Sequence, residues 1–235
     1  MVELVMLDQR DTQNRLFDEW PDRYDEWFRT PIGALVKHYE SLLFLDLLQP
    51  RPGEMILDVG CGTGIFTLDI LESDPGVVGL EISLPMLMRA RQKTGDDSFH
   101  PITGDMLSLP FADDVFDKAV SMTALEFVED AHAAVMEMFR VTKTGGTIVV
   151  TTLNSLSPWA SRRKQKAEKG HHLFKKMIFR SPDEIRSLAP TDGVVKTAIH
   201  FQKEENPDRA PEIEKNGQKK ELCTGAFLAA RWVKP

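Results

Sequence analysis

The chain has 235 residues, of which 42% are hydrophobic and 28% charged, and its formal net charge at pH 7 is -7. This composition is typical of a folded globular protein and excludes a chain that is disordered throughout. The acidic balance argues against a dedicated nucleic-acid binder, because phosphate contacts need a basic surface.

The first predicted elements are two helices within residues 11–49. Pro21 can open the first helix, and aromatic side chains recur there at the spacings of three and four residues that an amphipathic helix shows. These aromatic residues are Phe17, Trp20, Tyr24, Trp27 and Phe28. Thr30 can cap a second helix that Pro31 opens. Its predicted apolar stripe consists of Ile32, Leu35, Val36, Tyr39, Leu42 and Leu43, and Pro50 follows its end.

Residues 53–152 alternate predicted strands with predicted helices. The strands are expected at 55–59, 77–82, 99–103, 118–122 and 147–152, and the helices at 65–71, 84–92 and 131–141. Gly145 and Gly146 are expected to stop the last of these helices. The alternation predicts an α/β fold, a doubly wound and mostly parallel sheet covered by helices on both faces.

Residues 154–190 break the alternation and are predicted to form a small cap insertion after the fifth strand. Basic side chains are dense between Arg162 and Lys176, around His171 and His172. The usual interpretation is a solvated helix face, and the alternative is a cap that attracts an anionic substrate. Ser181 is predicted to cap a short helix.

The C-terminal part, residues 191–235, is predicted to be a β-hairpin built from strands at 194–201 and 224–233. The polar connection at 202–222 is long for a compact domain, so we expect it to be mobile or to cover something. We interpret residues 1–235 as a single domain, with a helical lid at 11–49 and a cofactor-binding core at 53–152.

The cysteine usage and the apolar runs favour a cytoplasmic protein. Cys61 and Cys223 form neither a disulfide framework nor a zinc spacing. The first ten residues lack the pattern of a secretory signal. No apolar run approaches the ~18 residues that cross a bilayer, so we expect no membrane association.

The strongest functional signal is the segment Leu57-Asp58-Val59-Gly60-Cys61-Gly62-Thr63-Gly64. It joins a predicted strand to a predicted helix, at the carboxyl edge where open α/β sheets bind ligands. Glu81 ends the next strand, and a carboxylate there can accept hydrogen bonds from a ribose diol. Residue 65 is Ile where a dinucleotide fingerprint has glycine, which favours a nucleoside without a pyrophosphate. The alternative is a tight turn with incidental glycines.

At these residues the chain resembles the class I S-adenosylmethionine-dependent methyltransferases, specifically the type 11 group. Further motifs that carry the resemblance are 104–111, Phe116-Asp117, 121–129, 145–147 and 226–228. It covers about residues 12–233 and is densest over 56–150. The resemblance implies a seven-stranded Rossmann-like sheet with an antiparallel last strand. It also implies S-adenosylmethionine as cofactor, S-adenosylhomocysteine as product and a small-molecule acceptor.

The resemblance implies a role for each cofactor-site residue. The expected residues are Tyr24, Asp58, Gly60, Cys61, Gly62, Glu81, Ile82, Asp105, Met106 and Met122. The backbone of the glycine loop would face the methionine portion, Asp58 would support the loop and reach the ammonium group, and Glu81 would hold the ribose. Asp105 and the Met106 amide would form hydrogen bonds with adenine, and Ile82 would pack against its ring. Met122 would lie near the methionine chain.

Some of these assignments have structural alternatives. Asp105 could be only a turn residue, and Ile82 and Met122 could be core residues. The aromatic N-terminal helix could be a buried face or a lid whose Tyr24 touches the cofactor sulfonium. Phe127 stands where many relatives carry His, so no role of that His is carried over to this chain.

No residue is assigned to catalysis and none to a metal. Histidines 38, 171 and 172 are candidates for a general base but sit in no recognisable motif. Two other functions stay open at this point. One is an NAD-dependent oxidoreductase, against which the glycine at position 64 argues. The other is a catalytically silent domain that binds S-adenosylmethionine.

Overall fold

The computed structural model describes residues 16–95 and 97–235. Within these residues seven strands form one sheet in the order β3-β2-β1-β4-β5-β7-β6. Their bounds are β1 Met55–Val59, β2 Gly76–Glu81, β3 Phe99–Thr103, β4 Phe116–Ser121, β5 Thr142–Leu153, β6 Val194–Ala198 and β7 Phe227–Val233. Strands β1 to β5 pair in parallel, whereas β7 is antiparallel to β5 and β6. The predicted fold class is confirmed.

Helices cover both faces of this sheet. Their bounds are α1 Pro21–Arg29, α2 Pro31–Leu48, α3 Thr67–Leu71, α4 Leu84–Thr94, α5 Ala131–Val141, α6 Pro158–Glu168, α7 His172–Lys175, α8 Pro182–Arg186 and α9 Ala210–Lys219, with a 3-10 turn at Leu125–Phe127. None of the helices in the described part of the chain is both long and apolar enough to cross a membrane.

Neighbouring residues of a strand contribute to different core layers, as the two-residue period of a strand requires. Ile56 is fully buried in the layer that contains Phe44 of α2. Leu57 is fully buried in the opposite layer, with Val135 of α5. The carboxyl ends of β1, β2 and β4 therefore stand between two packed helical layers.

Local capping explains where the predicted helices begin. The Thr30 hydroxyl oxygen accepts a hydrogen bond from the Gly33 amide at 3.1 Å, as expected. Ser181 and Glu184 form a reciprocal capping box at the start of α8. The beginning of the predicted N-terminal lid, residues 11–15, lies outside the described residues.

Two details of the predicted fold were wrong. Helix α5 ends at Val141, before the glycines, and Gly145 and Gly146 lie within β5. One member of the predicted stripe of α2, Leu42, is 54% exposed, whereas Glu40 is buried and the other members of the stripe lie in the core or pack against it. The connection at 202–222, expected to be mobile or to cover something, contains helix α9.

Helix α9 forms despite its polar sequence because a buried side chain ties it to the sheet. The Glu214 carboxylate is fully buried and accepts hydrogen bonds from the amides of Ile199, at 3.1 Å, and His200, at 2.6 Å. These amides follow β6, so the bonds fix the helix against the sheet edge. The predicted hairpin is therefore an antiparallel strand pair joined by an ordered helical connection.

Candidate active site

The glycine loop turns the chain from β1 into α3 through left-handed backbone. Gly60, Gly62 and Gly64 have φ angles of 75°, 55° and 73°, which favour glycine. A Cβ on Gly60 would lie 2.6 Å from the Ala124 Cβ, and one on Gly64 would lie 3.0 Å from the Ala90 Cβ. These glycines are required by conformation and by close packing, so they are not incidental.

Asp58 stands at the end of β1 with half of its carboxylate unsatisfied. Its Oδ2 accepts a hydrogen bond from the Thr67 hydroxyl at 2.6 Å. Its Oδ1 is buried and has no hydrogen-bond partner among the described residues. Burial raises the pKa of Asp58 to about 7, although the Thr67 hydroxyl opposes this rise. An orphaned buried oxygen of this kind favours a donor from a ligand.

Glu81, at the end of β2, is buried and bonded to the backbone of two loops. Its Oε2 accepts from the Gly62 amide at 3.0 Å and its Oε1 from the Ser83 amide at 2.9 Å. Burial raises its pKa, and these backbone hydrogen bonds reduce the rise. A carboxylate has about four acceptor sites, so both oxygens can still accept from a diol.

The remaining predicted residues differ in how closely they approach the loop. The methyl group of Met106 would lie 3.3 Å from a Cβ on Gly60. The sulfur of Met122 accepts from the Thr151 hydroxyl at 3.3 Å. Ile82 is 37% exposed, so it is not a core residue.

Two further predicted residues have local roles. The amide of Cys61 donates to the Leu80 carbonyl at 3.1 Å, which ties the glycine loop to β2. Asp105 is exposed, and its Oδ1 accepts from the Leu107 amide at 2.9 Å. The turn role of Asp105 is thus present in the structure, and its adenine-binding role stays a prediction.

Helix α1 is anchored over the glycine loop by one buried carboxylate. Oδ1 of Asp25 accepts from the Thr63 hydroxyl at 2.7 Å and from the Lys93 ammonium at 2.6 Å, and its Oδ2 accepts from Arg89 Nε at 3.3 Å. Burial by itself would raise the pKa of Asp25, but the bonds from Lys93 and Thr63 hold it below its usual value.

The chain before α1 makes two further contacts with the loops. The Ser83 hydroxyl donates to the Asp18 carboxylate at 2.7 Å. The rings of Phe17 and Phe127 meet edge to face, with centroids 4.7 Å apart. The N-terminal segment thus lies on the loops after β1, β2 and β4.

A second polar cluster lies beside the first and was not predicted. Glu40 of α2 and Glu126 of the 3-10 turn are buried, and both act electrostatically on the Tyr24 hydroxyl group. Arg163 of α6 acts on both carboxyls. Burial raises the pKa of Glu40 to about 8 and that of Glu126 to about 7. Tyr24 therefore faces this cluster, and its contact with the cofactor stays a prediction.

The comparisons with known proteins concern mainly the core of the chain. The type 11 family described as "Methyltransferase domain" matches residues 57–150. A demethylmenaquinone methyltransferase of Beutenbergia cavernae is 39% identical over 116 residues, 49% of this chain and 47% of the relative. A malonyl-[acyl-carrier protein] O-methyltransferase of Serratia marcescens is 37% identical over 103 residues, 44% of this chain and 40% of the relative. The chain spans about half the length or less of these two curated relatives.

A solved structure extends the likeness to nearly the whole fold. It is an S-adenosylmethionine-dependent methyltransferase from Thermotoga maritima, with a TM-score of 0.70 and 23% identity. The match covers 95% of this chain and 100% of that one. This likeness concerns the fold, whereas the family match falls on the glycine loop and Glu81. Residues 57–150 therefore match a type 11 methyltransferase domain, and the chain shares its fold with a solved methyltransferase structure over nearly its whole length.

Proposed function

We propose that this protein transfers a methyl group from S-adenosylmethionine to a small-molecule acceptor that carries an anionic group. The observation that supports the cofactor most directly is the buried Oδ1 of Asp58, which has no partner among the described residues. It lies beside a loop that the fold keeps free of side chains at Gly60 and Gly62.

The residues present fit this cofactor. Asp58 would accept from its ammonium group, and Glu81 from the ribose hydroxyls through its free lone pairs. Two buried acids at one sheet edge favour a cationic ligand and disfavour a pyrophosphate. The oxidoreductase alternative therefore gains no support.

The catalytic work of the chain is mainly to position the reactants and exclude water. S-adenosylmethionine, when bound, supplies an activated methyl group on sulfur together with its leaving group. The anchored helix α1 keeps water from the loop, and the loops hold two reactants in one orientation. Such positioning supplies up to ~7–11 kcal/mol of the barrier. We also propose that residues 11–49 act as the lid and 154–190 as the cap.

An anionic acceptor is supported by the basic side chains of the cap and its surroundings. Arg163 is half-buried, lies over the Trp159 ring at 5.3 Å and has no hydrogen bond or ion pair among the described residues. The Lys203 ammonium lies 4.6 Å from the Trp27 ring centroid. Burial, Lys166 and Arg163 lower its pKa. Adding an anion here would relieve the repulsion among these cations.

Calorimetry tests the cofactor and product analysis tests the reaction. We expect S-adenosylhomocysteine to bind and NAD not to bind, with the affinity for S-adenosylhomocysteine reduced in Asp58→Asn. Incubation with S-adenosylmethionine should then yield S-adenosylhomocysteine with anionic acceptors more than with neutral ones. Binding of NAD alone would contradict the proposal, and cofactor binding with no turnover on any acceptor would indicate a silent domain. Cytoplasmic localisation and the absence of a nucleic-acid partner stay predictions from composition.

A further inference from the structure

One carboxyl of the second polar cluster has no hydrogen bond, and another is bonded weakly. Glu40 is 6% exposed, and its side chain has no hydrogen bond or ion pair among the described residues. Glu126 is 1% exposed, and its carboxyl receives the Thr152 hydroxyl at a long 3.3 Å and its own backbone amide. Buried carboxyls are usually well hydrogen-bonded, so both groups can take further donors from a ligand.

The chain around these carboxyls holds them in place without satisfying them. The Arg180 guanidinium is committed to backbone, because it donates to the carbonyls of Leu125 at 2.7 Å and Val128 at 2.8 Å. These bonds fix the 3-10 turn that carries Glu126. Glu40 is in turn fixed by its position on the buried face of α2, in line with Val36 and Phe44.

The cluster borders the glycine loop. Glu126 follows β4, and its turn begins just after Ala124, whose Cβ lies against Gly60. The Thr123 side chain approaches the Tyr24 hydroxyl of the lid, and Arg163 of the cap helix α6 acts electrostatically on both carboxyls. The lid, the end of β4 and the cap helix α6 therefore each bring a side chain to this cluster.

We propose that Glu40 and Glu126, with Arg163 beside them, form the acceptor-binding site, and that the acceptor reacts through a protic heteroatom, an amine or a hydroxyl group. This inference rests on the proposed function. The acceptor's N–H or O–H bond breaks and its proton passes to the carboxyl pair. The heteroatom's electron pair forms the new bond to the methyl carbon as the bond between that carbon and the cofactor sulfur breaks. Arg163 binds the acceptor's anionic group.

The raised proton affinity of the two carboxyls suits this role. Desolvation raises the pKa of both groups, Glu126 raises that of Glu40 further, and Arg163 opposes the rise in both. The titratable and charged side chains that act on the pair are Tyr24 of α1, Lys37 of α2, Arg163 of α6 and Arg180 before α8. A base with a pKa near neutral pH is efficient in proton transfer, and the two groups titrate as a pair.

The test compares anionic probes whose protic group is either free or capped by methyl groups. 4-Hydroxybenzoate and 4-aminobenzoate are protic, whereas 4-methoxybenzoate and 4-(dimethylamino)benzoate are their capped partners. Each is titrated by calorimetry into the protein saturated with S-adenosylhomocysteine. We expect each protic probe to bind at least tenfold more tightly than its capped partner. The amine and phenol arms show which heteroatom is preferred.

Variants assign the preference to the two carboxyls. Glu40→Gln and Glu126→Gln keep the side-chain volume and should abolish the protic preference, while S-adenosylhomocysteine binds within about twofold of the wild type. Asp46→Asn is the control, because Asp46 lies on the same helix in an exposed ion pair with Lys196. With the better protic probe as acceptor, kcat/KM should rise with pH between 6 and 9 in the wild type, and this rise should be lost in Glu126→Gln.

Several results would overturn the inference. They are equal binding of protic and capped probes, failure of all four probes to bind, or wild-type preference in both glutamine variants. If S-adenosylhomocysteine binds but these results appear, this inference alone fails. If S-adenosylhomocysteine does not bind the wild type, the proposed function fails and this inference fails with it. Thermal melting of each variant checks that the fold is retained.

Discussion

Two polar clusters lie at the carboxyl edge of the sheet, a cofactor cluster of Asp58 and Glu81 and an acceptor cluster of Glu40, Glu126 and Arg163. They differ in how many of their hydrogen bonds come from the chain itself. In the cofactor cluster, the Glu81 carboxylate takes two backbone amides, and the Asp58 carboxylate leaves one oxygen unpaired. In the acceptor cluster, Glu40 and Arg163 have no hydrogen-bond partner among the described residues. The first site is built almost completely by the fold, whereas the second is completed only by a ligand.

This difference has a physical reason. A ligand that many proteins of one fold bind can be held by backbone groups, because the strand ends and the turn fix the positions of those groups. An acceptor must be recognised by side chains from separate elements, and unpaired buried groups reject molecules that cannot pair with them. The stability of the acceptor cluster should therefore depend on the ligand more than that of the cofactor cluster.

Removing the Glu81 carboxylate should reduce the affinity for S-adenosylhomocysteine more than any other change discussed here. Glu81→Ala leaves the amides of Gly62 and Ser83 without their acceptors and removes the contact that we propose with the ribose. Each unpaired buried amide costs ~1–3 kcal/mol, so we expect the affinity for S-adenosylhomocysteine to fall about 100-fold, ~2.7 kcal/mol. Glu81→Gln is the control, because it retains one acceptor oxygen and should lose less. Calorimetry that finds both variants within threefold of wild type would falsify this role of Glu81.

The lid anchor, the buried Asp25 carboxylate that holds helix α1 over the glycine loop, should give the next largest effect on cofactor binding. Asp25→Asn removes the charge that holds Lys93 and Arg89, whose side chains are 21% and 33% exposed. Because solvent screens these partners, we expect a loss of only ~1–2 kcal/mol in stability. S-adenosylhomocysteine should dissociate roughly tenfold faster, as measured by stopped-flow fluorescence.

The matched control for the lid anchor lies on the same helix. Asp22 forms an ion pair with Arg89 at 3.0 Å, but its side chain is 79% exposed. Asp22→Asn should therefore change stability by less than ~0.5 kcal/mol. Equal dissociation rates in the two variants would show that Asp25 does not restrain the cofactor.

The sequence predicted that Asp58, the glycine loop and Glu81 come together, because these residues are nearly continuous along the chain, whereas their binding of a cofactor stays a prediction. Asp58, the glycine loop and Glu81 belong to one strand–helix–strand unit, in which the apolar strands and the turn fix their relative positions. The predicted strand positions were likewise confirmed to within a few residues over β1 to β4, because buried parallel strands are short apolar runs between breakers.

The acceptor cluster and the lid anchor were missed because long-range packing creates them. Glu40 and Arg163 are far apart in sequence, and each is by itself an ordinary charged residue of a helix. A signal existed only for Glu40, an acid four residues after Val36 and four before Phe44 on one helical face. The burial of Asp25 depends on Thr63 and Lys93, which no local pattern links to it.

Titration of Asp58 should give the affinity for the cofactor a moderate dependence on pH. Its pKa is raised to about 7 in the free protein, so it is mostly neutral at pH 6 and mostly ionised at pH 8. A cationic ammonium group prefers the ionised form, and the affinity for S-adenosylhomocysteine should therefore fall roughly tenfold from pH 8 to pH 6. Asp58→Asn should abolish this dependence in calorimetry at the two pH values.

The raised pKa of Asp58 also predicts how the free energy of unfolding changes with pH. Stability should fall as the pH rises, whereas cofactor affinity should increase. A raised carboxyl pKa means that the neutral form is favoured by folding, so its contribution is present below the unfolded pKa of about 3.9 and is lost as the pH rises through about 7. Asp58→Asn should thus gain stability relative to the wild type at pH 8 compared with pH 6. A difference that does not change with pH would contradict the assignment.

Substitution of Tyr24, which lies between the two clusters, should have the smallest effect on the affinity for S-adenosylhomocysteine. Its hydroxyl faces Thr123 and the two carboxyls, whereas its ring meets Phe28 edge to face at 5.3 Å. We expect Tyr24→Ala to weaken S-adenosylhomocysteine binding about fivefold, ~1 kcal/mol, and Tyr24→Phe to weaken it less than twofold. If Tyr24→Phe instead leaves cofactor affinity intact but abolishes the protic-probe preference, the hydroxyl belongs to the acceptor cluster. If both variants bind the cofactor like the wild type, Tyr24 does not contact it.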